Sequence, residues 1–192
     1  MQLVLASASP RRADLLRAAG IDFDVRPAGV DESIRAGEAP EHYACRVAFA
    51  KARAVSERIP GHLVLGADTI VVVDGQILGK PSNANDAGRM LRILSGRSHQ
   101  VMTAVALLGA TSSGSVDETC IETTTVEFAP LSDGQIAWYV ASGEPLDKAG
   151  AYAVQGLASR FVTRVEGSYS NVVGLPVSLV YVMCKRAGLL LS

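Results

Sequence analysis

The sequence predicts an α/β fold built on a mixed sheet with flanking helices. Short apolar runs suited to buried strands alternate with longer stretches that have helical spacing. The pair Asp74-Gly75 separates two apolar runs and is typical of a hairpin turn, so at least two neighbouring strands are antiparallel. Hairpins mixed with intervening helices indicate a mixed sheet rather than the regular parallel sheet of a doubly wound fold.

The first strand leads directly into a polar turn and a helix. Apolar residues begin at Leu3, Pro10 suits the first helical position, Ser9 is a suitable N-cap, and Gly20 ends the helix. Free N–H groups at the helix start, two hydroxyls and the Arg11-Arg12 pair form a site for an oxyanion such as phosphate. An ordinary capped helix with solvated arginines explains the same pattern, so both interpretations stay open.

A polar loop and a long helix come next. Residues 23–26 predict a short strand, residues 29–33 a loop, and residues 40–57 a helix whose apolar positions include Tyr43 and Val47. Lys51 falls at the edge of that apolar face, where a lysine ordinarily extends its ammonium group to solvent.

A strongly apolar strand over residues 63–73 contains one charged residue, Asp68. The rest of the chain predicts a strand over 76–78, a helix over 85–94, strands over 101–108 and 119–128, a helix over 132–141, a loop over 144–152, a strand over 161–165 and a buried helix beginning near Pro176.

Composition favours a well-packed globule, and the length of 192 residues favours a single domain over residues 1–192. Hydrophobic residues make up 48% and charged residues 19% of the chain. The formal net charge of −1 gives no general attraction to nucleic acid or to an anionic membrane, so we expect neither as a partner.

The three cysteines and three histidines are scattered, without the spacing of metal ligands or of a disulfide framework. The N-terminal apolar run is too short for a signal peptide, and the apolar residues after Val172 are too few to span a bilayer. We therefore expect a cytoplasmic protein.

Asp68 is the first candidate for chemistry. An ionised carboxylate among Leu, Val, Ile and Ala side chains is costly unless it is paired or binds a metal. A purely structural partner would also satisfy it, but aspartate is disfavoured in strand interiors and active sites collect such groups.

Glu32 and Lys80 complete the set of candidate charges. Glu32 belongs to an acidic loop, and if that loop folds over Asp68 the two carboxylates could hold Mg²⁺ or Mn²⁺. Lys80 stands between Gly79 and Pro81, where it could meet a phosphate as a point charge. The chain has neither a P-loop nor the Gly-x-Ser-x-Gly turn of a serine hydrolase.

These segments resemble the Maf family of nucleoside triphosphate pyrophosphatases. The resemblance covers nearly the whole chain, in order, and is carried by residues 6–12 (ASASPRR), 66–69 (GADT), 79–81 (GKP), 144–150 (EPLDKAG) and 167–176 (GSYSNVVGLP).

The resemblance implies cleavage between the α and β phosphates of a nucleoside triphosphate with a divalent metal, Mg²⁺ or Mn²⁺. It also implies a two-lobed α/β fold with a cleft, shared with inosine triphosphatase-like proteins. The site residues that it implies are Ser7, Arg11 and Arg12 at the phosphates or the base edge, Lys51 and Lys80 at the phosphate chain, Asp68 as proton acceptor or metal ligand, and Glu32 as metal or water ligand.

Three positions resemble the subgroup of dTTP and UTP pyrophosphatases: Arg12, Thr69 and Gln155. Another subgroup, acting on 7-methyl-guanosine triphosphate, tends to carry tryptophan, glutamine and glutamate there. An amide at Gln155 can both donate and accept, which matches N3–H and O4 of uracil or thymine. We expect Arg11 to bind phosphate and Arg12 to help select the base.

Two other functions stay open. The same chemistry could act on 7-methyl-guanosine triphosphate or other modified nucleotides. Alternatively, the chain could be a nucleotide-binding regulator of cell division in which hydrolysis is vestigial. A homodimer is common in such folds, although no residue pattern here requires one.

Overall fold

The computed structural model describes residues 2–111 and 114–189. These residues form two compact units. The first unit takes the described parts of residues 1–68, 103–122 and 174–192, and the second unit takes residues 69–102 and 123–173. Whether they act as the single domain predicted for residues 1–192 stays a prediction.

The sheet is mixed, as predicted. Its seven described strands are β1 (Leu3–Leu5), β2 (Phe23–Val25), β3 (Leu63–Val73), β4 (Gln76–Leu78), β5 (Ser98–Thr111), β6 (Gly114–Phe128) and β7 (Val162–Glu166), in the order β2-β1-β3-β5-β6-β7, with β4 paired to β3. β1 pairs in parallel with β2 and β3, whereas β4 is antiparallel to β3 and β7 to β6. Asp74 and Gly75 both have positive φ, at 50° and 74°, which confirms the predicted hairpin turn.

Six α-helices lie within the described residues: α1 (Pro10–Ala18), α2 (Pro40–Ser56), α3 (Ala84–Leu94), α4 (Asp133–Ala141), α5 (Tyr169–Val173) and α6 (Val177–Arg186). Three short 3₁₀ helices cover Glu144–Asp147, Ala149–Ala151 and Leu157–Phe161. In residues 2–111 and 114–189 no helix is both long and apolar enough to cross a membrane.

The structure corrects several predicted boundaries. β5 and β6 are longer than the predicted strands over 101–108 and 119–128, because strand pairing continues through polar residues that give no apolar signal. The predicted loop over 144–152 holds two of the 3₁₀ helices, and β7 begins at Val162 because Phe161 ends the third.

The core of the first unit places Ser7 and Asp68 near each other. β1 and β3 are buried and paired in register, with Leu3 opposite Leu63 and Leu5 opposite Leu65. The Ala6 amide then donates to the Leu65 carbonyl at 2.8 Å, so the pairing continues past the end of β1. Residues just after β1 therefore lie beside the middle of β3.

A close approach of α2 to β3 decides what faces Asp68. A Cβ at Gly66 would lie 2.2 Å from the Ala48 carbonyl oxygen and 2.7 Å from the Ala52 amide, so only glycine permits this packing. Gly66 and Asp68 share a face of the strand because side chains alternate. The helix that covers Gly66 therefore brings Lys51, the residue before Ala52, to Asp68.

The second unit has its own apolar core, which includes a cluster of three rings. His99, Phe128 and Tyr152 meet edge to face, with centroids 4.8–5.3 Å apart. His99 Nε2 is 2.8 Å from the Tyr152 hydroxyl, and burial lowers the pKa of His99 to about 4, so the imidazole is neutral at physiological pH. This cluster fixes Tyr152, three residues before Gln155.

Candidate active site

The partner of Asp68 is Lys51. The ammonium Nζ donates to Asp68 Oδ1 at 2.8 Å, and both residues are buried, with 8% of Lys51 and 6% of Asp68 exposed. The expectation from spacing that Lys51 extends to solvent is wrong. Lys51 lies on the buried face of α2, one turn beyond Val47, because the carboxylate on β3 gives the ammonium a partner inside the protein.

Glu32 reaches the same lysine. Its Oε1 lies 2.9 Å from Lys51 Nζ, and its side chain is 48% exposed, so one ammonium joins a buried carboxylate and a half-exposed one. The loop that carries Glu32 therefore folds over the lysine that pairs with Asp68. The two carboxylates converge on one cationic centre.

Burial raises the pKa of the Asp68 carboxyl group, while the nearby charges of Lys51 and Arg12 oppose that rise. Glu32 adds to it, because two negative charges near each other disfavour ionisation. Asp68 is thus a stronger base than an exposed aspartate, although Lys51 and Arg12 still stabilise its ionised form. Such a carboxylate suits either proton transfer or metal binding.

Arg12 is a second buried cation whose charge acts on Asp68, with 8% of the residue exposed. Its Nε donates to the Gly174 carbonyl at 2.8 Å, and its Nη1 donates to Ser7 Oγ at 3.1 Å and to the Ala67 carbonyl at 2.9 Å. Burial lowers the pKa of Arg12, and the charge of Asp68 opposes this. Arg12 therefore joins the turn after β1, the strand before Asp68 and the segment before α6. Its contact with a base stays a prediction.

Ser9 is the N-cap residue of α1, as predicted, but its side chain makes no capping hydrogen bond. Ser7 Oγ, which is buried, accepts from the Ser9 amide at 3.3 Å as well as from Arg12. Arg11 follows at the first turn of α1 and is partly exposed.

The structure brings together Ser7, Arg12, Glu32, Lys51 and Asp68 within the first unit through hydrogen bonds, ion pairs and charge interactions. Thr69 follows Asp68 on β3 and is half-buried, whereas Lys80 after β4 and Gln155 before the third 3₁₀ helix are exposed. These last three belong to the second unit, and their roles at a nucleotide stay predictions.

The sequence did not single out three residues that organise the acidic loop: Glu38, Tyr43 and Arg46. The Tyr43 hydroxyl donates to the Glu32 carbonyl, and Arg46 pairs with Glu38. Tyr43 was recognised only as an apolar position of α2. Its spacing from Lys51, two helical turns, is the one signal that could have placed both beside the same loop.

The two carboxylates of the site, those of Glu32 and Asp68, suit a hard divalent cation that takes its other ligands from phosphate and water. No group of three or more His, Cys, Asp or Glu side chains that could hold a metal occurs in the part of the chain that the structure describes. Glu32 and Asp68, however, converge on one centre. Mg²⁺ commonly binds through one or two carboxylates, with substrate phosphates and water as the other ligands.

Comparison with known proteins decides the family. The family model described as "Maf-like protein" matches residues 2–187. The chain belongs to the Maf family. The match spans both units and every strand and helix described above.

Three curated relatives are more than half identical to the chain. A protein of Koribacter versatilis named dTTP/UTP pyrophosphatase is 54% identical over 99% of this chain and 96% of its own length. Proteins with the same name from Anaeromyxobacter dehalogenans and Symbiobacterium thermophilum are 53% and 52% identical over 97% of this chain and 94% of their own lengths.

The fold is similar to that of a solved protein with low sequence identity. The structure of the Staphylococcus aureus Ham1 protein matches with a TM-score of 0.55 at 15% identity, over 97% of this chain and 99% of that chain. This likeness supports the predicted architecture of a mixed sheet with flanking helices.

Removing the Arg12 guanidinium should destabilise this Maf protein. Arg12→Met leaves the buried Ser7 hydroxyl and the carbonyls of Ala67 and Gly174 without a charged donor, so we expect the free energy of unfolding to fall by at least about 2 kcal/mol. Urea unfolding followed by circular dichroism measures the difference.

The matched control is Arg17→Met on the same helix. Arg17 pairs with Asp14 at 2.9 Å, but their side chains are 63% and 70% exposed, so its removal should change stability by no more than about 0.5 kcal/mol. Equal losses in the two variants would contradict the scaffold role of Arg12.

Proposed function

We propose that this Maf protein hydrolyses dTTP and UTP to the monophosphate and pyrophosphate. The observation that carries the proposal is the Lys51 ammonium shared by Asp68 and Glu32, with Arg12 buried nearby. This arrangement offers carboxylate oxygens for a cation and positive charges for a polyanion. The names of the relatives, together with Arg12, Thr69 and Gln155, support the choice of a pyrimidine base.

Glu32 and Asp68 are the residues that would hold Mg²⁺ or Mn²⁺. A bound divalent ion supplies neutralisation of phosphate charge and lowers the pKa of coordinated water. Lys51 is already paired with both carboxylates, so a cation there requires the ammonium to find another anionic partner. The triphosphate provides one.

The reaction that we propose is an in-line attack of water on the α-phosphorus. A new P–O bond forms, the bond from the α-phosphorus to the α–β bridging oxygen breaks, and pyrophosphate leaves with the bonding electrons. Asp68 serves either as acceptor of the water proton or as metal ligand, in which case that proton passes to bulk water, and both tasks require its carboxylate. Lys51, Lys80 and Arg11 stabilise the negative charge of the phosphate chain.

The base would be read by Gln155. Its exposed amide can accept from N3–H and donate to O4 of uracil or thymine, whereas a carboxylate at the same position can only accept. A cytoplasmic setting, a homodimer and the absence of nucleic-acid or membrane partners also stay predictions.

Asp68→Asn should lower turnover of dTTP by at least about a hundredfold while the protein stays folded, because the amide can neither accept the proton nor balance a cation. The assay measures pyrophosphate release from dTTP, UTP, 7-methyl-guanosine triphosphate, GTP and ATP with Mg²⁺ and with Mn²⁺. Wild type should prefer dTTP and UTP.

The matched control is Asp133→Asn, which removes an aspartate that is 82% exposed and pairs with the exposed Arg92. It should retain full turnover. Near-normal turnover in Asp68→Asn would contradict the role of Asp68, a preference for the methylated guanosine would contradict the pyrimidine assignment, and tight nucleotide binding without product would favour the regulator.

Gln155→Glu should lower kcat/KM for dTTP and UTP roughly tenfold or more, because the carboxylate repels O4 of the base. The kcat/KM ratio between dTTP and 7-methyl-guanosine triphosphate should fall in the same variant. Gln76→Glu, which makes the same change at an exposed glutamine of β4, should leave the ratio unchanged. An unaltered ratio in Gln155→Glu would show that Gln155 does not read the base.

A further inference from the structure

The loop that carries Glu32 has no helix or strand of its own. Residues 26–39 connect β2 to α2 without regular structure, and most of them are exposed. A half-exposed carboxylate on such a loop would ordinarily sample many positions. Its 2.9 Å approach to Lys51 therefore needs support from elsewhere.

Helix α2 supplies that support at Glu32 and at the residue that follows it. The Tyr43 hydroxyl donates to the Glu32 carbonyl at 2.8 Å. One turn further along the helix, Arg46 Nη2 donates to the carbonyl of Ser33 at 2.9 Å. The backbone of Glu32 and of the next residue is thus bonded to the same helix that carries Lys51.

Arg46 also holds the far end of the loop. Its Nε lies 2.6 Å from Glu38 Oε1 and its Nη2 lies 2.7 Å from Glu38 Oε2, which is a bidentate pair. Glu38 Oε2 also accepts from the Arg35 amide at 3.2 Å. The hydrogen bond from Arg46 lowers the pKa of Glu38 to about 2, so the pair is charged throughout the physiological range.

This pair differs from an ordinary surface ion pair. The side chains of Arg46 and Glu38 are only 21% and 10% exposed, and the Arg46 guanidinium lies 5.4 Å from the Tyr43 ring centroid. On the same helix, Arg53 bonds Glu57 at 2.7 Å with both side chains 60% or more exposed, which is the kind of pair that contributes little. Arg46 is bonded to two points of one loop, and Arg53 is bonded only along its own helix.

We propose that Arg46, with Glu38 as its partner, is a positioning residue that holds the 32–38 loop so that the Glu32 carboxylate faces Lys51. The inference rests on the proposed function, in which Glu32 is a metal or water ligand. Arg46 itself touches neither substrate nor cation in this account. It acts through the backbone at Ser33 and through Glu38.

The test compares Arg46→Gln with Arg53→Gln, a matched loss of one arginine from the same helix. We measure amide hydrogen exchange across residues 32–38 without ligand, and the Mn²⁺ concentration that gives half-maximal hydrolysis of dTTP. Arg46→Gln should speed exchange of the loop roughly tenfold and raise the Mn²⁺ requirement roughly tenfold, with kcat at saturating Mn²⁺ nearly unchanged. Arg53→Gln should change neither.

Further variants test whether a general folding defect explains these effects. Arg46→Lys keeps the charge but loses the bidentate geometry, so both effects should be intermediate. The exchanged pair, Arg46→Glu with Glu38→Arg, should recover part of the loss seen with Arg46→Glu alone. A recovery of this kind reports the interaction itself and not overall stability.

Faster exchange without a higher Mn²⁺ requirement would overturn the inference, since Arg46 would then be merely structural. No change in either quantity would overturn it as well. Glu32→Gln separates this inference from the proposed function. If Glu32→Gln raises the Mn²⁺ requirement and Arg46→Gln does not, this inference alone is contradicted. If Glu32→Gln has a normal Mn²⁺ requirement, the proposed role of Glu32 is contradicted and this inference with it.

Discussion

The contact on which the rest of the first unit depends is the buried ion pair between Lys51 and Asp68, extended to Glu32. Neither a lysine nor an aspartate is stable alone among Leu, Val and Ala side chains, because each would lose its hydration without compensation. Each therefore requires the other. The small residues at the α2–β3 contact allow them to meet, since a side chain at Gly66 would push the helix away.

The pair also decides how the surrounding charges are arranged. The charges of Arg12 and Lys51 both act on Asp68, and Glu32 supplies the second carboxylate, so two cations balance two anions. A free divalent ion would find both carboxylates already paired with one ammonium. An ion that arrives with a triphosphate brings a new anionic partner for Lys51. If Glu32 and Asp68 hold the cation, as we propose, binding of the cation and binding of the nucleotide are coupled.

Much of this site could be predicted from local patterns, and the rest depends on tertiary packing. Asp68 was recognisable because a charge in an apolar strand needs a partner, and the hairpin at Asp74-Gly75 was recognisable from turn chemistry alone. Lys51 could not be placed from helical spacing, because spacing predicts the side of α2 on which it lies but not the carboxylate that it meets. Only the family resemblance predicted Lys51 as a site residue. Arg46 and Glu38 gave no signal, since no local pattern shows that an irregular loop packs on a particular helix.

The measurement that tests the central claim most directly is Mn²⁺ binding without nucleotide, followed by the electron paramagnetic resonance signal of the free ion at neutral pH. Wild type should bind Mn²⁺ weakly, because Lys51 occupies the point between Glu32 and Asp68. Lys51→Met, which keeps a long side chain in the buried position, should bind Mn²⁺ roughly tenfold or more tightly, since the competing charge is gone. The additional change Asp68→Asn should remove that gain. Binding to Lys51→Met that is no tighter than binding to wild type would contradict the claim that this lysine holds the place of the cation.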